Sequence, residues 1–165
     1  QQLLVYAQAE PSSALNRSVE PVALHGLLEQ AASLFLDQAL AKGIDIGFEP
    51  GAATVQGVPW MLREALANLI DNALRYTPAG GVVTVSSGVV DGRPQLCVVD
   101  NGPGIAPAER ARVFERFYRV AGTGGDGCGL GLAIVQEIAQ LHQAEVQLSD
   151  APGGGLQVSL LFPPG

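Results

Sequence analysis

Val82-Val83-Thr84-Val85-Ser86-Ser87-Gly88-Val89-Val90, Asp91-Gly92, Arg93-Pro94-Gln95-Leu96-Cys97-Val98-Val99 and Asp100-Asn101-Gly102-Pro103-Gly104-Ile105 form the stretch on which the fold turns. Val82–Val90 and Gln95–Val99 are rich in β-branched and apolar residues and are predicted strands. Asp91-Gly92 between them is a favoured two-residue hairpin connection, because both residue types tolerate positive φ. One strand therefore follows another with no helix between them. The pattern repeats at Glu145–Ser149 and Leu156–Phe162 across Pro152–Gly155. A doubly wound parallel sheet needs a helical crossover between its strands, so an α/β sandwich fits this order better.

Working outward, Leu24–Leu40 is a long amphipathic helix stopped by Gly43. Ile44–Phe48 alternates as a strand, and Thr54–Gln56 is a short one. Pro59 suits the first turn of a helix running to about Tyr76, which Thr77-Pro78 and Gly80-Gly81 end. Pro107–Arg112 is a short helix, Val120–Gly127 a glycine-rich loop and Leu130–His142 a helix. The order α-β-β-α-β-β-α-β-β predicts an α/β sandwich of the α+β kind. Its mixed, mostly antiparallel sheet carries about three helices on one face.

The 165 residues suit one domain with a proper core. Hydrophobic residues at 47% against 15% charged mark globular material. No apolar run has the length of a membrane span. The chain opens on Gln1 without a signal peptide and reads as part of something longer. Leu3, Leu4 and Ala7 keep helical spacing. Residues 1–9 are expected to be the tail of a preceding helix, 10–17 a linker, and 18–165 the domain proper. A net charge of -7 disfavours a nucleic-acid binder. A phosphate ligand would have to be met locally, by a cation, a helix N-terminus or a few arginines. Cys97 and Cys128 have no CxxC spacing and read as reduced thiols, not as a zinc site.

The helix ending at Tyr76 carries Glu64, Asn68, Asp71, Asn72 and Arg75 within about 100° of one face, at roughly 100° per residue. Leu62, Leu66, Leu69, Ala73 and Leu74 cover much of the rest. Most such stripes are simply solvated. Here two asparagines, poor helix formers, sit mid-helix and four residues apart, so their carbonyl oxygens point the same way. That arrangement suits a hard, oxygen-loving cation such as Mg²⁺ as well as solvent.

Asp100 ends an apolar strand and enters Asn101-Gly102-Pro103-Gly104. A tight turn would use the same residues. A carboxylate at such a place needs hydrogen bonds, and it can accept one from an exocyclic amine. Gly122–Gly127 satisfies G-x-G-x-x-G, but the preceding Phe114–Val120 is not a strand, so the dinucleotide-binding reading fails and a mobile loop fits better. Gly127-Cys128-Gly129-Leu130-Gly131-Leu132 opens directly into a helix. It places unobstructed backbone N–H groups where an anion binds, although it also serves as a flexible helix entry. There is no G-x-x-x-x-G-K-[ST], and Lys42 is the sole lysine, which excludes P-loop and protein-kinase chemistry.

Together these segments resemble the catalytic domain of bacterial sensor histidine kinases, within the gyrase, Hsp90, histidine kinase and MutL ATPase group. Glu64–Pro78 is similar to that family's N box, Asp100–Ile105 to its G1 box, Phe114–Arg119 to its F box and Gly127–Leu132 to its G2 box. Gly153–Phe162 resembles its terminal hairpin. The details of Arg116–Arg119 and Gly127–Leu132 are similar to the tricarboxylate-transport sensor branch. The resemblance implies a Bergerat-type fold with an ATP pocket between the second helix, the Asp100 turn and the glycine-rich lid. Asp100 would accept from the adenine amine, with Gly102 and Gly104 letting the base approach and Tyr76 on adenine or ribose. Asn72 would bind Mg²⁺, with Asn68 beside it or on the phosphates. Asn68, Arg75 and Arg119 would serve the transfer itself. Gly127, Gly129, Leu130 and Gly131 would cradle phosphates.

The partners implied are ATP, a dimerisation and phosphoacceptor domain of the same homodimeric kinase, and a response regulator. Nucleic acid and direct membrane contact are not expected. The domain would be cytoplasmic and its parent in the bacterial inner membrane. The family's phosphoacceptor histidine is followed by an acidic residue and soon by Thr/Asn-Pro. Neither His25, before Gly26-Leu27, nor His142, in the last turn of a helix where the dipole favours a cation, matches that context. Both read as structural or solvated. An anti-sigma-factor type serine kinase and a non-catalytic nucleotide-sensing module are the competing functions. The F box and the helix tail at 1–9 speak for the histidine kinase.

Overall fold

The computed structural model describes residues 19–102, 131–151 and 155–164. Its elements are β1 (Glu20–Ala23), α1 (Leu24–Lys42), β2 (Asp45–Pro50), β3 (Thr54–Gly57), α2 (Pro59–Tyr76), β4 (Val82–Val90), β5 (Arg93–Asp100), α3 (Gly131–Leu141), β6 (Glu145–Asp150) and β7 (Leu156–Leu161). Every helix and strand expected within the described residues is present, with ends shifted by no more than two residues. The expected short helix at 107–112 and loop at 120–127 lie outside them.

The main sheet runs β2-β4-β5-β7-β6. β2 and β4 are parallel, and the other neighbours are antiparallel. The β4–β5 hairpin closes through Asp91 and Gly92 at φ 52° and 77°, the double positive φ that an Asp-Gly turn supplies. β1 was not anticipated. It pairs antiparallel with β3, Val22 opposite Val55, in a separate two-stranded sheet. Four residues that include Pro21 carry no readable alternation, so this strand is defined by its partner and not by its own pattern.

Cross-strand partners share a face. The Val85–Val98–Val158 and Leu96–Leu160 rows therefore put one side of the sheet under the helices, where these residues are buried. The α2 leucines Leu62, Leu66, Leu69 and Leu74 and the α3 residues Leu132, Val135 and Ile138 complete that core. Val83 is opposite Asp100, so Asp100 too points to the helical side. The reverse face carries the row Ser86–Cys97–Ser159. Burial pushes the Cys97 thiol up, which suits a packed thiol beside Ser159.

Candidate nucleotide-binding site

The end of α2 is where the sequence stops a helix by force. Pro78 has no N–H, so the carbonyl of Leu74 loses its helical partner, and Thr77 closes the last turn by donating to Ala73 O at 3.0 Å. The polar stripe on this helix is not an ordinary solvated face. Asn68 is buried, and Glu64, Asp71, Asn72 and Arg75 are half-buried. Asn68 Nδ2 donates to Glu64 O at 2.8 Å and to Glu64 Oε2 at 3.2 Å. Holding the NH₂ prong this way fixes the orientation of the amide and hence the direction of Oδ1. Arg75 is paired with Asp71 one turn back at 2.9 Å, and Gln38 of α1 reaches the other oxygen of Asp71 at 3.4 Å.

Asp100 lies at the C-terminal end of β5 beside the end of α2. The Gly102 N–H donates to Asp100 Oδ1 at 2.9 Å, the turn that Asp makes with the residue two ahead, and the Leu156 N–H donates to the same oxygen at 3.4 Å. Among the described residues, no donor reaches Oδ2. Desolvation raises the carboxyl above the usual carboxylate range, and the two N–H bonds oppose that shift. Gly102 is wedged in the same corner. A Cβ on it would stand 3.2 Å from both Asp100 Oδ1 and Tyr76 O, so the turn and the helix end approach closely and a side chain here would have to push one of them aside by a few tenths of an ångström.

Of the residues expected to form the site, the structure brings Asp100, Gly102, Arg75 and Tyr76 to one end of the sheet, with Asn72 and Asn68 one and two turns further back along α2. Gly131 begins α3, which packs against α2. Gly104, Arg119, Gly127, Gly129 and Leu130 lie outside the described residues. Two contributors escaped sequence reasoning. Gly155, at φ 94°, lies against the Asp100 backbone so closely that a Cβ would come within 2.0 Å of its carbonyl oxygen. The next residue, Leu156, supplies the second N–H to the carboxylate. The glycine run 153–155 was a signal for a turn, but not for which turn it would touch.

His142 is structural in a more specific way than expected. It is buried, its Nε2 accepts from the Val58 N–H at 3.1 Å, and its Nδ1 lies 2.8 Å from Ile138 O. Those partners require the neutral ring with the proton on Nδ1. Desolvation lowers its pKa. The dipole at the helix end does not make it a cation, because burial outweighs that favourable term.

A family model of histidine kinase-, DNA gyrase B- and HSP90-like ATPases matches residues 57–165. The chain belongs to that family. Among curated proteins it is 39% identical to the sensor protein kinase PmrB of Pseudomonas aeruginosa, over 99% of this chain and 34% of that one. Full-length ShkA in complex with AMPPNP aligns with a TM-score of 0.82 at 34% identity, over 98% of this chain and 34% of that one. The mycobacterial sensor histidine kinase MprB aligns with a TM-score of 0.75 at 29% identity, over 88% of this chain and all of that one. The chain thus spans about a third of the length of its curated relatives. The fold is that of histidine kinase ATPase domains, and the relatives are sensor kinases. No helix among the described residues is long and apolar enough to cross a membrane.

Proposed function

We propose that this chain binds ATP with Mg²⁺ and presents the γ-phosphoryl group to a histidine on a separate dimerisation and phosphoacceptor domain of a homodimeric two-component sensor kinase, with a response regulator downstream. The observation that carries the reading is Asp100. It is a buried carboxylate held by two N–H groups on Oδ1, with no donor on Oδ2 among the described residues, beside a helix face of half-buried polar groups. An adenine amine fits that acceptor. Kinship with a kinase solved with AMPPNP supports a nucleotide there.

Within this reading Asp100 orients the base, Gly102 and Gly104 allow its approach, and Tyr76 covers adenine or ribose. The amide oxygens of Asn72 and Asn68 suit a hard cation, and Glu64 turns Asn68 in a fixed direction. Mg²⁺ there would neutralise charge on the phosphates. Arg75 and Arg119 would meet phosphate oxygens, and Gly127, Gly129, Leu130 and Gly131 would offer backbone N–H groups at the start of α3. The domain is taken as 18–165, with 10–17 a linker and 1–9 the tail of the dimerisation helix. Its place is the cytoplasmic side of a kinase anchored in the bacterial inner membrane.

Phosphoryl transfer needs donor and acceptor held in line, and neither histidine of this chain is in a phosphoacceptor context. Incubated with γ-labelled ATP, the chain alone should take no label. Adding the phosphoacceptor domain should yield acid-labile, base-stable label on that domain. Stable label on His25 or His142, or label on a serine of an added protein, would overturn the assignment.

A further inference from the structure

The geometry points to the C-terminal turn of α1 as the positioning element of the nucleotide site, with Lys42 as its principal residue. This rests on the nucleotide reading above and adds to it a residue outside all four boxes. Lys42 is the only lysine of the chain. Its Nζ donates across the helix pair to the carbonyls of Leu74 and, at 2.9 Å, Arg75. Leu74 O is the acceptor that Pro78 leaves without a helical donor, and Arg75 O is the next one along. A cation placed on the last carbonyls of α2 satisfies both and sits at the negative end of the helix dipole.

Three further contacts tie the same segments together. One turn before Lys42, Gln38 donates to Asp71, which holds the Arg75 guanidinium. After Lys42, Gly80 N–H donates to Gly43 O at 2.7 Å and Asp45 N–H donates to Gly81 O at 3.0 Å. The path continues to the base-binding corner. Asn101 Oδ1 accepts from Val82 N–H at 2.7 Å, and a Cβ on Gly81 would stand 2.9 Å from that same oxygen and 2.3 Å from Thr77 Cγ2. Hence Lys42 grips the turn that presents Arg75 and Tyr76, and that turn abuts Asp100 and Gly102. Among the described residues the ammonium donates to main-chain carbonyls and to none of the side chains assigned to ATP, so its role is positioning.

Lys42→Met keeps the aliphatic stem and removes the charge, and Lys42→Arg keeps a donor. Lys42→Met should weaken ATP in calorimetry by roughly threefold to tenfold. In transfer to the separate phosphoacceptor domain, KM for ATP should rise with kcat at saturation little changed, and Lys42→Arg should recover most of the loss. In the nucleotide-free chain, amide exchange at Thr77 and Gly80 should quicken in Lys42→Met and not in Lys42→Arg. Unchanged exchange and wild-type ATP affinity in Lys42→Met would overturn the proposal, as would equal losses in the two variants. If the wild-type chain itself fails to bind ATP, the nucleotide reading falls, while the exchange comparison still decides whether Lys42 holds the end of α2.

Discussion

Asp100 is a buried carboxyl whose desolvation makes the stability of the fold depend on pH. Its pKa is raised by burial, so the unfolded chain releases the proton first as pH rises. Its contribution to stability is full below the ordinary carboxylate range near pH 3.8 and is lost as pH climbs through the raised folded value. Asp100→Asn keeps Oδ1 as an acceptor for Gly102 and Leu156. The variant should therefore melt at higher temperature than wild type at neutral pH, and the difference should shrink on acidification toward pH 4. The same change should weaken ATP by about 1–3 kcal/mol, because the amide presents N–H where an acceptor is needed. Thermal melts across pH with parallel calorimetry check both halves. A variant that is less stable and binds ATP normally would make Asp100 a structural residue.

His142 has the opposite sign. Its folded pKa is lowered below 6.5, so its stabilisation is full above about pH 6.5 and is lost as pH falls toward the depressed value. His142→Ala leaves the buried Val58 N–H without its acceptor. It should cost about 1–3 kcal/mol and remove the His142 contribution to the decline in stability below that pH. A denaturant series at several pH values reads it directly. A slope unchanged in the variant would mean that other groups govern acid sensitivity.

Among elements, the junction of β5 with the start of β7 sets the shape of the turn around Asp100. Gly155→Ala places a side chain at positive φ against the Asp100 carbonyl. It should cost on the order of 1–3 kcal/mol from backbone strain alone. It should also lower ATP affinity, by displacing Asp100 or the Leu156 N–H. Intact affinity in a folded Gly155→Ala chain would show that the Leu156 contact is not needed. The helices make a complementary point. The spacing on α2 exposed a polar stripe but left open whether it was solvated, because periodicity gives the angle between residues and not what faces them. Packing settled it, by half-burying four of the five and burying Asn68. β1 was missed because its pairing with β3 spans more than thirty residues and its four residues carry no pattern of their own.

Across the whole molecule, ligand binding and folding are linked. ATP with Mg²⁺ should raise the melting temperature of the wild-type chain in a concentration-dependent way, by roughly 2.7 kcal/mol at a hundredfold excess over Kd. Asn72→Ala should melt like wild type without nucleotide and show no Mg²⁺-dependent gain. A lost transition would make Asn72 structural, and an undiminished gain would remove it from the cation site.

Local signals along the chain were enough to set the architecture and to single out candidate residues for a site. Strand pairs without intervening helices spoke for a sandwich over a parallel doubly wound sheet. Pro59, Gly43 and Thr77-Pro78 set helix ends, and the four boxes in order carried the resemblance that the comparisons then showed. These are local signals, readable because capping, turn chemistry and periodicity act over a few residues. Which groups meet across the chain was settled by packing in three dimensions. It placed the Leu156 N–H on Asp100, set Gly155 against that turn, laid the Lys42 ammonium on the carbonyls that Pro78 orphaned, and buried His142 as a neutral ring. Each of these joins residues more than thirty positions apart, and their partners are chosen by packing and desolvation, which leave no periodic trace in the sequence.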